Sequence, residues 1–287
     1  MFSFNNVRNN LSQYIWTLAY GVYDESINLE GEFGYAGKLH YVINPYKKKW
    51  FADPFILRES DDKLELLVEE YDSDIKKGRI ARIVINKQTD KIVACSIVLE
   101  LPSHLSFPAI YRFDDKIFVH PENSASGVST IYEYDLGNDK LINPVVLVNE
   151  PLTDAVIIKC GECYKMYATH VPTSCGNTLT EYQSDNFLGE YNKTKTITFQ
   201  DNTARMAGAF LEYQGKLIRP AQDCNHDYGR AVVFYDGFTV IGDLRPKGLK
   251  YEGIHTFNRF GETFVVDLKK YQYAYIRSLL KRVMSVK

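Results

Sequence analysis

Ala52-Asp53-Pro54-Phe55-Ile56 opens a pattern that returns four more times along the chain. The other copies begin Ser106-Phe107-Pro108-Ala109-Ile110, Thr153-Asp154-Ala155-Val156-Ile157, Met206-Ala207-Gly208-Ala209-Phe210 and Gly253-Ile254-His255-Thr256-Phe257. Each copy starts an apolar strand. A tight turn follows, at Asp61-Asp62, Asp114-Asp115, Gly161-Glu162, Gln214-Gly215 and Gly261-Glu262. A second apolar strand then runs into a cluster of polar and ionisable residues. Aligned on the second residue, the copies start at 53, 107, 154, 207 and 254, spaced by 54, 47, 53 and 47. Repeats of that length, built from several short strands, are the units of a β-propeller. The pattern predicts an all-β fold, a five-bladed β-propeller whose central funnel carries the chemistry.

Composition agrees with one such unit. The chain has 287 residues, 45% of them apolar, enough for a sizeable core. Tyr (21) and Phe (16) are abundant, which favours strands over helices. The net charge of −2 gives no electrostatic case for nucleic acid as a partner. No apolar run reaches the length of a membrane-spanning helix. Met1-Phe2-Ser3-Phe4-Asn5 has neither the basic region nor the small-residue cleavage site of a signal peptide. The five cysteines, Cys95, Cys160, Cys163, Cys175 and Cys224, form no regular framework and read as reduced thiols of a cytoplasmic protein. Cys160 and Cys163 have the spacing of a metal or redox pair, but they flank a hairpin turn and no second pair accompanies them, so a plain turn is expected.

The blades are expected at about 51–100, 104–148, 152–200, 204–243 and from 251 onward. Tyr14-Ile15-Trp16-Thr17-Leu18-Ala19 reads as a strand that completes the last blade and so removes an open sheet edge. Residues 1–268 then form the propeller, and 269–287 a short amphipathic C-terminal helix. That tail carries Lys269, Lys270, Arg277, Lys281, Arg282 and Lys287 with no acid, and Ile276, Leu279, Leu280 and Val283 at helical spacing. It reads either as a cap on the propeller or as a foothold on the anionic inner face of a membrane.

Alignment of the repeats gathers distant residues at one funnel. First-strand positions supply Asp53, Ser106, Asp154, Arg205 and His255. Second-strand ends supply Glu69-Glu70, Pro121-Glu122-Asn123, Thr169-His170, Arg219-Pro220-Ala221-Gln222-Asp223 and Asp267-Leu268-Lys269, with His104 beside blade 2 and Arg79 on the next strand of blade 1. Asp53, Glu70, Glu122, Asp154 and Asp223 make a converging set of carboxylates, the groups that do acid and base work at an anomeric carbon. Arg205, Arg219, His104, His170 and His255 make a matching set of cations. A neutral sugar has no use for so many, whereas a phosphate does. Each residue also has a plain structural reading. Asp53 can cap a strand, Arg219 and Asp223 can pair across one loop, and His255 can be a satisfied core histidine.

Taken in order, Phe51-Ala52-Asp53-Pro54-Phe55, Glu69-Glu70-Tyr71, Gly78-Arg79-Ile80-Ala81, His104-Leu105-Ser106-Phe107-Pro108, His120-Pro121-Glu122-Asn123, Thr153-Asp154-Ala155, Arg219-Pro220-Ala221-Gln222-Asp223 and Gly253-Ile254-His255-Thr256-Phe257-Asn258 resemble the N-terminal domain of plant glucosamine inositolphosphorylceramide transferases. The resemblance covers roughly residues 14–268 and extends to bacterial relatives in surface-polysaccharide gene clusters. That domain is in turn similar to the five-bladed propellers of furanoside-cleaving glycosidases, where an Asp in an Asp-Pro context is base or nucleophile. Asp53 is its counterpart. The chain departs from the glycosidase pattern at Ser106-Phe107-Pro108, where a further Asp is usual, and at Asp154, where a longer Glu is usual.

The resemblance implies a cytoplasmic glycosyltransferase-like enzyme of cell-surface polysaccharide assembly. It would use a phosphorylated sugar donor, furanosyl and of phosphoribosyl type, and a glycan acceptor that is lipid-linked in one version of the reading. Asp53 is the expected base. Glu122 and Asp154 orient sugar hydroxyls or a divalent cation such as Mg2+. Arg79, Arg205 and Arg219 hold phosphate with help from His104 and His255, Asp223 sets Arg219, and Glu70 and His170 line the site. The alternatives are a glycoside hydrolase acting on furanosides and a non-catalytic glycan-binding propeller.

Overall fold

The computed structural model describes residues 13–24, 26–246 and 250–272. The chain begins with β1 (Gln13–Val22), β2 (Gly31–Glu32) and β3 (His40–Tyr41). Blade 1 follows as β4 (Lys49–Glu59), β5 (Lys63–Asp72), β6 (Lys77–Asn86) and β7 (Lys91–Leu99). Blade 2 is β8 (Ser106–Phe113), β9 (Lys116–Glu122), β10 (Ser129–Asp135) and β11 (Lys140–Val148). Blade 3 is β12 (Leu152–Cys160), β13 (Cys163–His170), β14 (Thr178–Ser184) and β15 (Asn192–Thr198). Blade 4 is β16 (Leu211–Tyr213), β17 (Lys216–Asp223), β18 (Ala231–Asp236) and β19 (Thr239–Leu244), and blade 5 contributes β20 (Phe257–Phe260) and β21 (Thr263–Gln272). These strands form five sheets, as the repeats require.

The ring closes through the N-terminus. β1 inserts between β21 and β3 in blade 5, antiparallel to β21 from Gln13↔Gln272 to Val22↔Thr263. β2 adds a parallel outer strand to β19 of blade 4. The C-terminal helix expected from residue 269 does not begin there, because Lys269, Lys270, Tyr271 and Gln272 continue β21 as partners of β1. The rest of that expected helix lies outside the described residues. Among the described residues no helix is long and apolar enough to cross a membrane.

Five apolar layers, one per seam between neighbouring blades, make the core. Leu18, Tyr20 and Val265 of blade 5 pack on Phe51, Ile56 and Val68 of blade 1. Leu57, Leu67 and Ile80 meet Leu105 and Val119 across the next seam. Phe118 and Ile131 meet Met166 and Tyr182, and Val156 and Leu179 meet Met206 and Val233. Phe234 and Val232 meet Phe257 and Phe264 at the last seam. Each such buried side chain contributes about 1.5–3 kcal/mol relative to exposure.

The repeated opening has one local device that matters for the site. Asp53, Phe107 and Asp154 sit at φ of 50°, 42° and 48°, the left-handed region that non-glycine residues seldom occupy. Each coincides with a shift of pairing register in its sheet, between Ala52 and Phe55, Ser106 and Ala109, and Thr153 and Val156. These are β-bulges, which bend a strand and re-aim a side chain. At the equivalent turn of blade 4, Gly208 takes φ 149° with a Cβ position only 2.1 Å from Phe257 O, so only glycine fits.

Candidate active site in the funnel

Asp53 stands on the bulge of β4 and is buried. Its carboxylate accepts the Phe107 N–H at 3.1 Å and lies 2.9 Å from the Thr256 hydroxyl, whose one proton it shares with Asp267 Oδ2 at 2.7 Å. Its own N–H donates to Asp267 Oδ2 at 3.0 Å. His255 lies between the two acids, with Nδ1 2.7 Å from Asp267 Oδ2 and Nε2 3.4 Å from Asp53 Oδ1. Asp267 Oδ1 also accepts the N–H groups of His255 and Thr256. Burial pushes the Asp53 carboxyl up to about 7, against the pull of His255. Burial works against charge on His255 too, yet Asp267 and Asp53 lift it to about 9. Asp267 moves the other way: His255 and the donated hydrogen bonds outweigh burial and hold it below the ordinary carboxyl range. At neutral pH the arrangement is an imidazolium clamped by two carboxyls, one of which, Asp53, is poised to gain or lose a proton.

The clamp has an aromatic roof. Trp16 of β1 stacks on His255 with centroids 3.9 Å apart and planes at 16°, and Tyr228 meets the imidazole edge-on at 5.3 Å. The loop that carries Tyr228 can come this close because Gly229, at φ +66°, leaves only 2.6 Å between its Cβ position and Trp16. Lys269 Nζ ties the same loop through Asp227 Oδ2 at 2.9 Å.

Two further carboxylates face the funnel on the blade 2 side. Glu69 Oε1 lies 3.1 Å from His104 Nε2, and the Gly78 N–H donates to His104 Nδ1 at 3.0 Å. Those two contacts fix the tautomer: Nε2 carries the proton toward Glu69. Burial raises the Glu69 carboxyl, opposed by His104 and His255. Glu122 accepts the Ser106 hydroxyl at 2.7 Å and the Ser124 N–H at 2.9 Å. The Ser106 that departs from the glycosidase pattern therefore holds an acid in place.

Asp154, on the bulge of β12, closes the group. Arg205 grips it with Nε at 2.6 Å and Nη2 at 3.3 Å, and Gln222 Nε2 donates to it at 2.7 Å. Burial opposes the charge on Arg205, but Asp154 outweighs it and raises the guanidinium well above its ordinary value. Tyr228 covers Arg205 at 5.4 Å. The funnel thus holds Asp53, Glu69, Glu122, Asp154 and Asp267 against Arg205, His104 and His255.

Asp53, His255 and Asp267 offer ligand atoms within 4.8 Å of one another. Both imidazole nitrogens already face carboxylates. Mg2+ asks for six oxygens in an octahedron. In this arrangement the trio pairs one imidazole with two carboxylates.

The family described as glucosamine inositolphosphorylceramide transferase 1, N-terminal, matches residues 42–243 of this chain. The chain belongs to that family. Among curated relatives, glucosamine inositolphosphorylceramide transferase 1 of Oryza sativa subsp. japonica is 27% identical over 229 residues, or 73% of this chain and 30% of the rice protein. Its Arabidopsis thaliana counterpart is 25% identical over 193 residues, 64% of this chain and 25% of that protein. The chain therefore spans under a third of the length of the plant proteins that it matches. In fold it is similar to the catalytic domain of the Coprinopsis cinerea GH62 alpha-L-arabinofuranosidase, with a TM-score of 0.60 at 10% identity over 86% of this chain and 98% of that one. The alpha-L-arabinofuranosidase of Podospora anserina in complex with cellotriose gives 0.56 at 10% identity, over 77% and 90%.

Within this family member, the funnel brings together Asp53, Glu122, Asp154, His104, Arg205 and His255 of the residues expected from sequence. It does not bring in the other five. Glu70 points away from Glu69, its neighbour on β5, and meets Lys49 at 2.7 Å and Arg79 at 2.9 Å. Arg79 also pairs with Glu100, so this is a separate ionic cluster on blade 1. His170 sits between Glu150 and Tyr182, 2.7 Å from each. Arg219 is buried between the rings of Phe199 and Tyr235, 4.4 Å from each, and donates to Ala204 O and Thr203 O. Asp223 does not set Arg219; it holds Arg230 at 3.3 Å and caps the turn to Asn225. The reason is strand alternation: on β17 Gln222 faces Asp154, so Arg219 and Asp223 face the other way. Sequence reasoning assigned no role to Glu69, Thr256, Gln222, Asp267, Trp16 or Tyr228. Strand parity would have pointed to Glu69 and Gln222. Nothing in the sequence pattern marks Trp16 or Tyr228.

Proposed function

We propose that this protein is a glycosyltransferase-like enzyme of cell-surface glycan assembly. It passes a sugar from a phosphorylated donor to a glycan acceptor, with Asp53 as the base. One observation carries the reading: Asp53 is a buried axial carboxyl with its pKa pushed up to about 7, where a base works best at neutral pH. The Phe107 N–H and Thr256 hydroxyl hold it in one orientation. The transferase named in the plant relatives supports the reaction class. Asp53 takes the proton of the acceptor hydroxyl as that oxygen attacks the anomeric carbon. His255, braced by Asp267, steadies the carboxylate. The bond to the donor phosphate breaks in the same displacement, so the anomeric configuration inverts. Glu122 and Glu69 orient sugar hydroxyls, and His104 and Arg205 face the leaving phosphate.

This set is smaller than the sequence suggested, since Arg79 and Arg219 lie elsewhere, and His104 enters it as a neutral Nε2–H donor because its Nδ1 accepts the Gly78 N–H. The furanosyl or phosphoribosyl identity of the donor rests on the resemblance to furanoside propellers alone. In the same reading the basic residues beyond Gln272 add a membrane contact for a lipid-linked acceptor.

A second reading, glycoside hydrolysis, draws on the several carboxylates that share the funnel. One assay separates the two. Purified protein is given phosphorylated sugar donors with glycan acceptors, and separately neutral furanosides in water. Acceptor-dependent turnover that falls about 10²–10⁴-fold in Asp53→Asn supports transfer. Release of sugar from neutral furanosides, lost in the same variant, replaces transfer with hydrolysis.

A further inference from the structure

The rim of the funnel carries an aromatic pair that the chemistry above leaves unused. Trp50 is one residue from the start of β4, Tyr71 is one from the end of β5, and the two are direct cross-strand partners. Their rings stack with centroids 4.7 Å apart and planes at 7°. Both are half-buried. Tyr71 stands two residues beyond Glu69, so strand alternation puts the pair on the same face as that acid. The Tyr71 ring centroid lies 6.4 Å from that of His104. Gly78 is the partner of Tyr71 on β6, and its lack of a side chain lets Glu69 and His104 sit beside the aromatic pair. From blade 5, Tyr14 stands two residues outward from Trp16 on β1, meets it edge-on at 6.2 Å, and is 44% exposed. Glu69 is buried and meets His104 through Oε1, while its Oε2 has no hydrogen-bond donor among the described residues.

Aromatic carbon beside an unengaged carboxylate oxygen supplies both halves of a sugar site. A pyranose with equatorial hydroxyls directs axial C–H bonds to its two faces and O–H groups around its edge. One face packs on aromatic rings while an edge hydroxyl donates to a carboxylate. We infer that Trp50 and Tyr71, with Tyr14 across the mouth, form a subsite for a neutral pyranose of the glycan acceptor, whose edge hydroxyl donates to Glu69 Oε2. That the occupant is an acceptor rests on the transfer proposed above; that it is a neutral pyranose follows from the rim itself. Asp53 lies three residues further along β4 than Trp50, about 10 Å at the rise of a strand. A glycan chain spans that distance from the reacting hydroxyl to the rim, and a single donor sugar does not. Charge selects the sugar. A uronic acid would set a second carboxylate against Glu69, a repulsion that a neutral ring escapes.

The test reads binding without a donor, so it is independent of whether transfer is the reaction. The full chain is titrated calorimetrically with methyl β-D-glucoside, cellotetraose and chitotetraose, and with methyl β-D-glucuronide. Saturation-transfer NMR maps which sugar protons touch the protein. The neutral sugars should bind, with the axial ring protons most strongly saturated, and the glucuronide should bind at least about tenfold more weakly than the glucoside. Trp50→Ala and Tyr71→Ala should each weaken neutral binding about tenfold, and Trp50→Phe, which keeps a ring, should restore most of it. Thermal melting identifies any variant that does not fold; in that event Tyr71→Leu, apolar but without a ring, carries the comparison. Unchanged binding in the folded variants reduces the pair to sheet packing and overturns the subsite, as does the absence of saturable binding by every neutral sugar. Tighter binding of the glucuronide overturns the neutral assignment. If binding follows the expected pattern while acceptor-dependent turnover is absent, the subsite stands and the transfer reading falls.

Discussion

At the residue scale, the funnel is governed by how three side chains share two protons. His255 titrates near 9, above its ordinary 6.5, so its contribution to stability is complete below about pH 6.5 and is lost as pH rises through about 9. Asp53 titrates near 7, above its ordinary 3.8, so it too favours the folded state at low pH and ceases to do so as pH rises through about 7. Both signs agree. Melting temperature should fall between pH 6 and pH 9, and His255→Gln should flatten most of that slope in a calorimetric series. Catalysis runs the opposite way. If Asp53 is the base, kcat/KM rises with pH to a plateau above about 7, and an acid limb that stays in Asp53→Asn removes Asp53 from that role. Arg219 illustrates the same scale from the other side: an aromatic sandwich and two carbonyls take up a cation that looked, by type alone, like a phosphate ligand.

At the scale of the element, alternation along a strand decides which residue reaches the axis. Glu69 and Glu70 are consecutive on β5, and a two-residue period sends them to opposite faces. Only Glu69 has room to meet His104, because residue 78 on the neighbouring β6 is glycine. A Cβ there would lie 2.6 Å from Leu105 O and 2.7 Å from both Glu69 Oε1 and His104 Cε1. Gly78→Ala should cost about 1–3 kcal/mol in denaturant unfolding, and should separate Glu69 from His104, seen as a changed His104 titration by NMR. The bulges explain why parity was hard to read in advance. At Asp53, Phe107 and Asp154 two residues oppose one partner, so the alternation changes phase inside the strand that carries the site.

At the scale of the whole molecule, β1 is both a structural clasp and part of the site. It supplies the strand between β21 and β3 and places Trp16 on His255. Deleting residues 1–22 removes the ten pairings from Gln13 to Val22 and leaves β21 with an open edge. Such a protein should lose cooperative melting and run as soluble aggregate on size exclusion. A monomer that melts like the full chain would show that β1 is dispensable to the ring.

Sequence alone determined the repeat, the sheet count, the N-terminal closing strand and the presence of Asp53, Asp154, Glu122 and His255 near one axis. Those follow from hydrophobic period and turn chemistry, which are local and written residue by residue. Only the tertiary structure decided which cations face the acids, that Asp267 braces His255, and that Trp16 and Tyr228 roof it. These facts depend on strand phase across a bulge and on pairings more than 200 residues apart, such as Asp53 N–H to Asp267. A short-range pattern carries no record of either, because the same polar side chain is stable in a salt bridge, an aromatic sandwich or a funnel, and burial by distant blades selects among them.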